Sequence, residues 1–278
     1  MMHRTVWALA ALLTTATLGQ AQVKNGELRL PEGAELFSPI DSAFRTVGDD
    51  GLTVEGWFWL DEMPEEDHIM TFFEAAGAYS LAFGFARPVL PGGPWFEPGT
   101  PIVFGGMTTD AGWGVGFHSR GDTVSVQKWF HIALQFHSEP PEIISYYIHG
   151  DRRAFEAIDG DAIPYGFNPG RGLQIGDSAF KRPNQKYNVR TDTRSTAWLG
   201  AVDSIRVSDV VRYTAPWEIG DREFRNDAHT IALWTFDDRN PFADASGNGQ
   251  HLQPEGILAV EAGAKLAATW GAIKGVTR

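Results

Sequence analysis

The segment Asp244-Ala245-Ser246-Gly247-Asn248-Gly249 places three oxygen-bearing side chains at alternating positions of a short glycine-rich stretch. Calcium is held by about six to eight oxygens drawn from carboxylates, amides, hydroxyls and backbone carbonyls. Asp244, Ser246 and Asn248 present such oxygens on one side of a tight loop, and Gly247 and Gly249 permit the positive φ that such a loop needs. Glu255 stands where an EF-hand loop places its last acid, but Pro254 precedes it and the flanks read as strands, which excludes that motif. The same residues also read as a plain Asx turn, with Asp244 and Asn248 capping their own backbone. Residue types alone leave both readings open.

Other chemistry is thinner. His131 and His137 lie on the face opposite Ile132 and Leu134, where a hydrogen-bonded structural role is expected. No His-x-x-x-His spacing suggests zinc, and no Gly-x-Ser-x-Gly elbow suggests a serine nucleophile. The run 61–67 is rich in acids but holds Pro64 and follows a strand, so it reads as a solvated turn. Arg120-Gly121-Asp122 matches an adhesion tripeptide too short to carry weight. Lys181, Arg182, Lys186, Arg190 and Arg194 make one basic stretch, read as a solvated loop.

Aromatic residues are the other lead. Sugar rings stack their apolar faces on Trp and Tyr while their hydroxyls take polar partners. The chain holds 10 Trp. Trp57, Trp59, Trp129 and Trp234 fall in strand-like segments and are expected in the core. Trp95, Phe96 and Trp113 fall in a proline- and glycine-rich stretch, and Tyr165, Phe167 and Tyr187 in a second loop region. Trp95, Trp113, Tyr165 and Tyr187 are the ligand-surface candidates; burial as satellite clusters under the loops is the competing reading.

The elements that must position these residues are strands. Leu52, Val54, Phe58 and Leu60 alternate with Thr53, Glu55, Trp57 and Trp59, and both faces are apolar enough to predict a central strand covered on two sides. Period-two ladders recur at Tyr79 to Phe85, Ile132 to Phe136, Ile205 to Val207 and Ile231 to Phe236. Residues 86–127, with five prolines in quick succession, read as a long surface excursion. Short helical turns are expected only at 218–226 and 262–270. Many strands without long helices predict an all-β fold of two packed antiparallel sheets.

Composition sets the surroundings. With 278 residues and 43% hydrophobic content, a sizeable core can be buried. A net charge of −12 disfavours nucleic acid as a partner. Zero cysteines exclude disulfides, thiol nucleophiles and cysteine-ligated zinc. Arg4, the apolar run 6–13 and Gly19-Gln20-Ala21 read as a signal peptide over 1–21, cleaved after Ala21. Retention as a membrane anchor is the alternative. The remainder, 22–278, is expected to form one sandwich domain with its core over about 36–252 and a short C-terminal extension, located outside the cell or in the periplasm. No membrane insertion is expected after cleavage.

Four phrases occur in a telling order: Leu52-Thr53-Val54-Glu55-Gly56-Trp57-Phe58; Trp129-Phe130-His131-Ile132-Ala133 with Tyr146 to Gly150; Leu173 to Asp177 with Leu199 to Ser208; and Ala232 to Asp237 with Asp244 to Gly249. Together they resemble the laminin-G-like jelly roll of the concanavalin A-like lectin and glucanase superfamily. The resemblance implies a jelly roll of two antiparallel sheets and an extracellular module with a glycan or protein ligand. It also implies calcium at Asp244 and Asn248, with Asp203 and Asp41 as partners from elsewhere in the fold. Two positions depart from the pattern: His149 and Ser204 replace acids. Glucanases of the superfamily set two acids at alternating positions of one strand, a Glu-x-Asp-x-Glu pattern that brings both carboxyls to one face. No strand here carries it. A secreted or surface binding module is therefore expected rather than an enzyme. An enzyme with acids assembled from separate strands, and a purely structural extracellular component, are the alternatives.

Overall fold

The computed structural model describes residues 22–24, 26–30, 35–39, 41–44, 46–65, 70–75, 78–85, 100–108, 114–119, 124–138, 144–153, 155–158, 172–176, 198–237 and 240–255. The signal-peptide segment, the 262–270 turn and the four aromatic candidates Trp95, Trp113, Tyr165 and Tyr187 lie outside them.

The described chain is β throughout, apart from one 3-10 turn at Ser42–Phe44. The first half supplies β1 (Gln22–Lys24), β2 (Glu27–Arg29), β3 (Glu35–Phe37), β4 (Leu52–Leu60), β5 (Met70–Ala75), β6 (Tyr79–Phe85), β7 (Pro101–Thr108) and β8 (Gly114–Ser119). The second half supplies β9 (Trp129–Phe136), β10 (Ile144–Ile148), β11 (Asp151–Arg153), β12 (Phe155–Ile158), β13 (Leu173–Gly176), β14 (Gly200–Ser208), β15 (Thr230–Trp234) and β16 (Gln253–Glu255). Sheet A runs β1-β2-β14-β4-β9-β10-β11, with β15 also paired to β14. Sheet B runs β12-β8-β7-β6-β5-β13-β3-β16. Every pairing between these strands is antiparallel. The fold is the expected two-sheet jelly-roll sandwich.

The period-two ladders explain the core. Leu52, Val54, Phe58 and Leu60 of β4, Ile132 and Leu134 of β9, and Val202, Ile205 and Val207 of β14 point inward from sheet A. Phe73, Leu81, Phe83, Val103 and Ile175 meet them from sheet B. Phe58, Phe72, Phe130 and Trp198 form an aromatic knot between the layers, Phe58 and Phe72 edge to face at 4.9 Å. In an interior without cysteines, packing of this kind supplies the stability.

Three expectations are corrected. The 86–127 stretch contains β7 and β8: Pro101 occupies the first position of β7, where a missing N–H breaks no ladder. Residues 218–226 are not helical. They belong to an irregular strap, 209–229, closed by the Asp209 amide donating to the His229 carbonyl and held elsewhere by Gln135 of sheet A and by the turns at Asp50 and Gly150. Trp59 and Trp129 are half-buried on the outer face of sheet A rather than in its core, because the core positions of β4 and β9 are the neighbouring Phe58, Leu60 and Phe130.

Candidate functional site

The outer faces of the two sheets are finished differently. On sheet A, Thr53, Glu55 and Trp57 of β4 pair with Gln135, Ala133 and His131 of β9 and point away from the core. The strap covers them. Gln135 acts as a substitute strand: its Oε1 accepts from the Arg212 and Tyr213 amides at 3.0 and 2.8 Å, and its Nε2 donates to the Tyr213 carbonyl at 2.8 Å. Tyr147 also donates to that carbonyl, and Ser204 and Arg206 donate to the carbonyls of Arg222 and Arg225.

Beneath the strap lies the densest set of reactive side chains among the described residues. Glu55, fully buried, accepts from Arg206 Nε at 2.9 Å and Nη2 at 2.7 Å, from the Tyr213 hydroxyl at 2.6 Å, and from His131 Nε2 at 2.9 Å. The proton is assigned to His131 Nε2 because the carboxylate is an acceptor only. Burial pushes the Glu55 carboxyl up, but the hydrogen bonds and charges of His131, Arg206 and Tyr213 outweigh it and hold the carboxyl below its usual range. Burial, reinforced by Glu55, pushes the Tyr213 hydroxyl well above its usual range, so it remains a donor. Trp217 and Phe224 close over the His131 ring at 5.6 and 5.7 Å, and Tyr213 stacks flat on Trp217 at 3.5 Å.

A carboxylate, an imidazole and a phenol in mutual contact resemble acid–base machinery. General acid–base chemistry needs a group within reach of a substrate proton. Here both Glu55 oxygens are spent on protein donors, and the histidine is 2% exposed. The network is a clamp holding the strap to sheet A. Sequence reasoning placed a structural hydrogen bond at His131 but missed Glu55 as its hub. The available signal was three charged residues, Glu55, His131 and Arg206, each set in the middle of an apolar strand.

The outer face of sheet B is unlike this. Register places Phe37, Gln174, Glu74 and Ser80 in one row across β3, β13, β5 and β6, and Thr71 and Ala82 in the next. Glu74, Gln174, Thr71 and Ser80 are all buried, yet none enters the core cluster. The hydroxyls of Thr71 and Ser80 have no hydrogen-bond partner among the described residues. A buried hydroxyl without a partner costs about 1–3 kcal/mol, and at 0% exposure neither is within reach of a ligand. None of these four residues was singled out from sequence.

The aromatic candidates lie outside the described residues, but the strand ends that lead to them are defined. Phe85 pairs with Pro101, and Gly176 with Thr71, at one end of sheet B. The segments carrying Trp95 and Tyr187 depart from that end. Thr108 pairs with Gly114, and Leu173 with Ala75, at the other end, where the segments carrying Trp113 and Tyr165 depart.

The Asp244 loop is described in full. Asp244 Oδ1 accepts from the Leu233 and Ser246 amides at 3.0 and 2.9 Å, and Oδ2 from Ser246 Oγ and the Gln250 amide at 2.8 and 2.9 Å. Asn248 donates its amide nitrogen to the Thr230 and Ile231 carbonyls. Burial pushes the Asp244 carboxyl up, and these bonds more than offset it, leaving it lowered. Asp41 is drawn in through Gln250 at 2.5 Å, whereas Asp203 pairs with Arg222. No cluster of three or more His, Asp or Glu suited to a metal occurs among the described residues. The donor set does not fit calcium as it stands: a cation would have to displace four protein donors from the one local carboxylate. The arrangement is the Asx-type turn, tying β15 to the chain beyond it.

No protein-family model matches the sequence, and no curated protein matches it. Solved structures give loose overlaps. A native heptameric SAP-like pentraxin from Limulus polyphemus aligns over 65% of this chain and 78% of its own, at 11% identity and a TM-score of 0.35. The CBM40 of a Ruminococcus gnavus IT-sialidase aligns over 67% and 93%, at 12% identity and 0.38. Full-length tailspike protein 2 from an Escherichia coli bacteriophage aligns over 78% of this chain but 28% of its own, at 13% identity and 0.36. Overlaps this loose carry no argument; the fold rests on the two sheets themselves. Among the described residues no helix is long and apolar enough to cross a membrane.

Proposed function

We propose that this chain is an exported, non-catalytic binding module of the laminin-G-like jelly-roll kind, with a glycan or extracellular protein as ligand. One observation carries the reading: the two sheets pack as a jelly-roll sandwich, and its densest described set of reactive side chains, around Glu55, is spent on holding the strap.

The catalytic alternative is disfavoured because no strand carries the Glu-x-Asp-x-Glu spacing that sets two carboxyls on one face. Calcium is not built into the reading, for the reason given at Asp244.

The test is a glycan and extracellular-protein array probed with the protein, with and without chelator. Binding to at least one array member is expected, and no binding to any of them overturns the module reading. Hydrolysis of any bound polysaccharide overturns the non-catalytic reading.

A further inference from the structure

The strap does not reach the end of sheet A. Its last inward contact at that end is Arg222, whose guanidinium lies over the Trp129 ring at 4.3 Å. Beyond it, Trp59 and Trp129 are directly paired across β4 and β9, ring centroids 5.8 Å apart, and both are half-buried. Ala201 of β14 is the cross-strand neighbour of Trp59, so no large side chain stands beside the indole on that flank.

The pair is held rigidly. Trp59 Nε1 donates to Asp61 Oδ1 at 2.9 Å. Arg29 Nη1 grips both oxygens of the same carboxylate at 3.0 and 2.7 Å. Arg222 is fixed by Asp203 at 2.9 Å and Glu27 at 3.4 Å. These are open groups: Asp61 is 48% exposed and Arg29 44%. Their remaining lone pairs and N–H groups face solvent around an aromatic floor.

We propose that the Trp59–Trp129 row is where the module, on the reading above, takes its ligand, and that this ligand is a neutral glycan. An indole offers an apolar face for the C–H side of a pyranose ring. Asp61, Glu27 and Asp203 accept from sugar hydroxyls, and Arg29 and Arg222 donate to them. The mixed signs of this rim suit an uncharged, hydroxyl-rich ligand better than an anionic or a purely apolar one. Because the side chains are fixed beforehand, little ordering cost remains at binding.

The test is affinity electrophoresis of the full chain in gels containing barley β-glucan, galactomannan or dextran. The variants are Trp59→Ala and Asp61→Ala. Asp61 lies at the surface, so its variant keeps the fold even where Trp59→Ala does not. Parent protein is expected to be retarded by at least one polysaccharide, and each variant to bind it at least ten-fold more weakly. Full retardation of Asp61→Ala overturns the site while leaving the module reading intact. Absence of retardation by all three polysaccharides also overturns it.

Discussion

At the scale of single residues, Glu55 matters most. Replacing it by Gln keeps the shape and removes the charge, leaving Arg206 buried without a counterion. Breaking a buried pair this way costs about 3–5 kcal/mol, and urea unfolding of Glu55→Gln at neutral pH is expected to show that loss; a change below about 1 kcal/mol would show the network idle. The sign of its pH dependence follows from the lowered carboxyl. The stabilisation is fully present above the unfolded value of 4.5 and is lost as pH falls through the lower folded value. Asp203 behaves oppositely. Burial raises it from 3.8 to about 6, and Arg222 only partly offsets this. The folded state therefore holds an extra proton between those values, and the associated stability fades as pH rises through about 6. The Tm of Asp203→Asn relative to the parent is expected to climb from about pH 4 to about pH 7.5. A difference that stays flat with pH contradicts the raised value.

Among the elements, the strap is the one whose behaviour can be forecast. Gly150 closes the β10–β11 hairpin at φ +83°, and a Cβ there would meet the Trp217 carbonyl at 2.2 Å. Gly150→Ala must strain the hairpin or push out the strap, at about 1–3 kcal/mol for the backbone alone. Limited proteolysis should then cut within 209–229 earlier than in the parent; an unchanged cleavage pattern means that the strap is not seated there. This element also shows what sequence could not convey. The strands were legible because side chains alternate with period two and half of each ladder is apolar. The strap has no period. Tyr213 makes sense only beside Gln135, Tyr147 and Glu55, which lie some 60 to 160 positions away in the chain. The four-phrase resemblance captured the frame of that arrangement, including Glu55, His131 and Arg206, but not their mutual contact. For the same reason Trp59 and Trp129 passed for core residues: alternation alone does not say which face is covered.

For the whole molecule, stability rests on burial between two sheets, with neither disulfide nor assigned metal. Thermal unfolding in calcium and in chelator is accordingly expected to give the same Tm. A rise of several degrees with calcium would mean that the Asp244 turn rearranges to hold the ion. Of the candidate sites, the Asp244 loop was legible as an ambiguity that geometry narrows. The polar row on sheet B was not, because Thr71, Glu74 and Ser80 of the β5–β6 hairpin meet Gln174 only when β13, about a hundred residues further on, aligns beside them.

The placement of β14 has a further consequence. It lies between β2 and β4, so the N-terminal strands of sheet A are divided until a segment made about two hundred residues into synthesis arrives to join them. The strap that seals Glu55 follows immediately. Any chain emerging from a ribosome or a translocation pore thus carries a split sheet with a buried-type acid in the open until that late insertion. Assembly of this protein is governed by its non-local pairings, with slow folding and dependence on holding factors as the expected outcome.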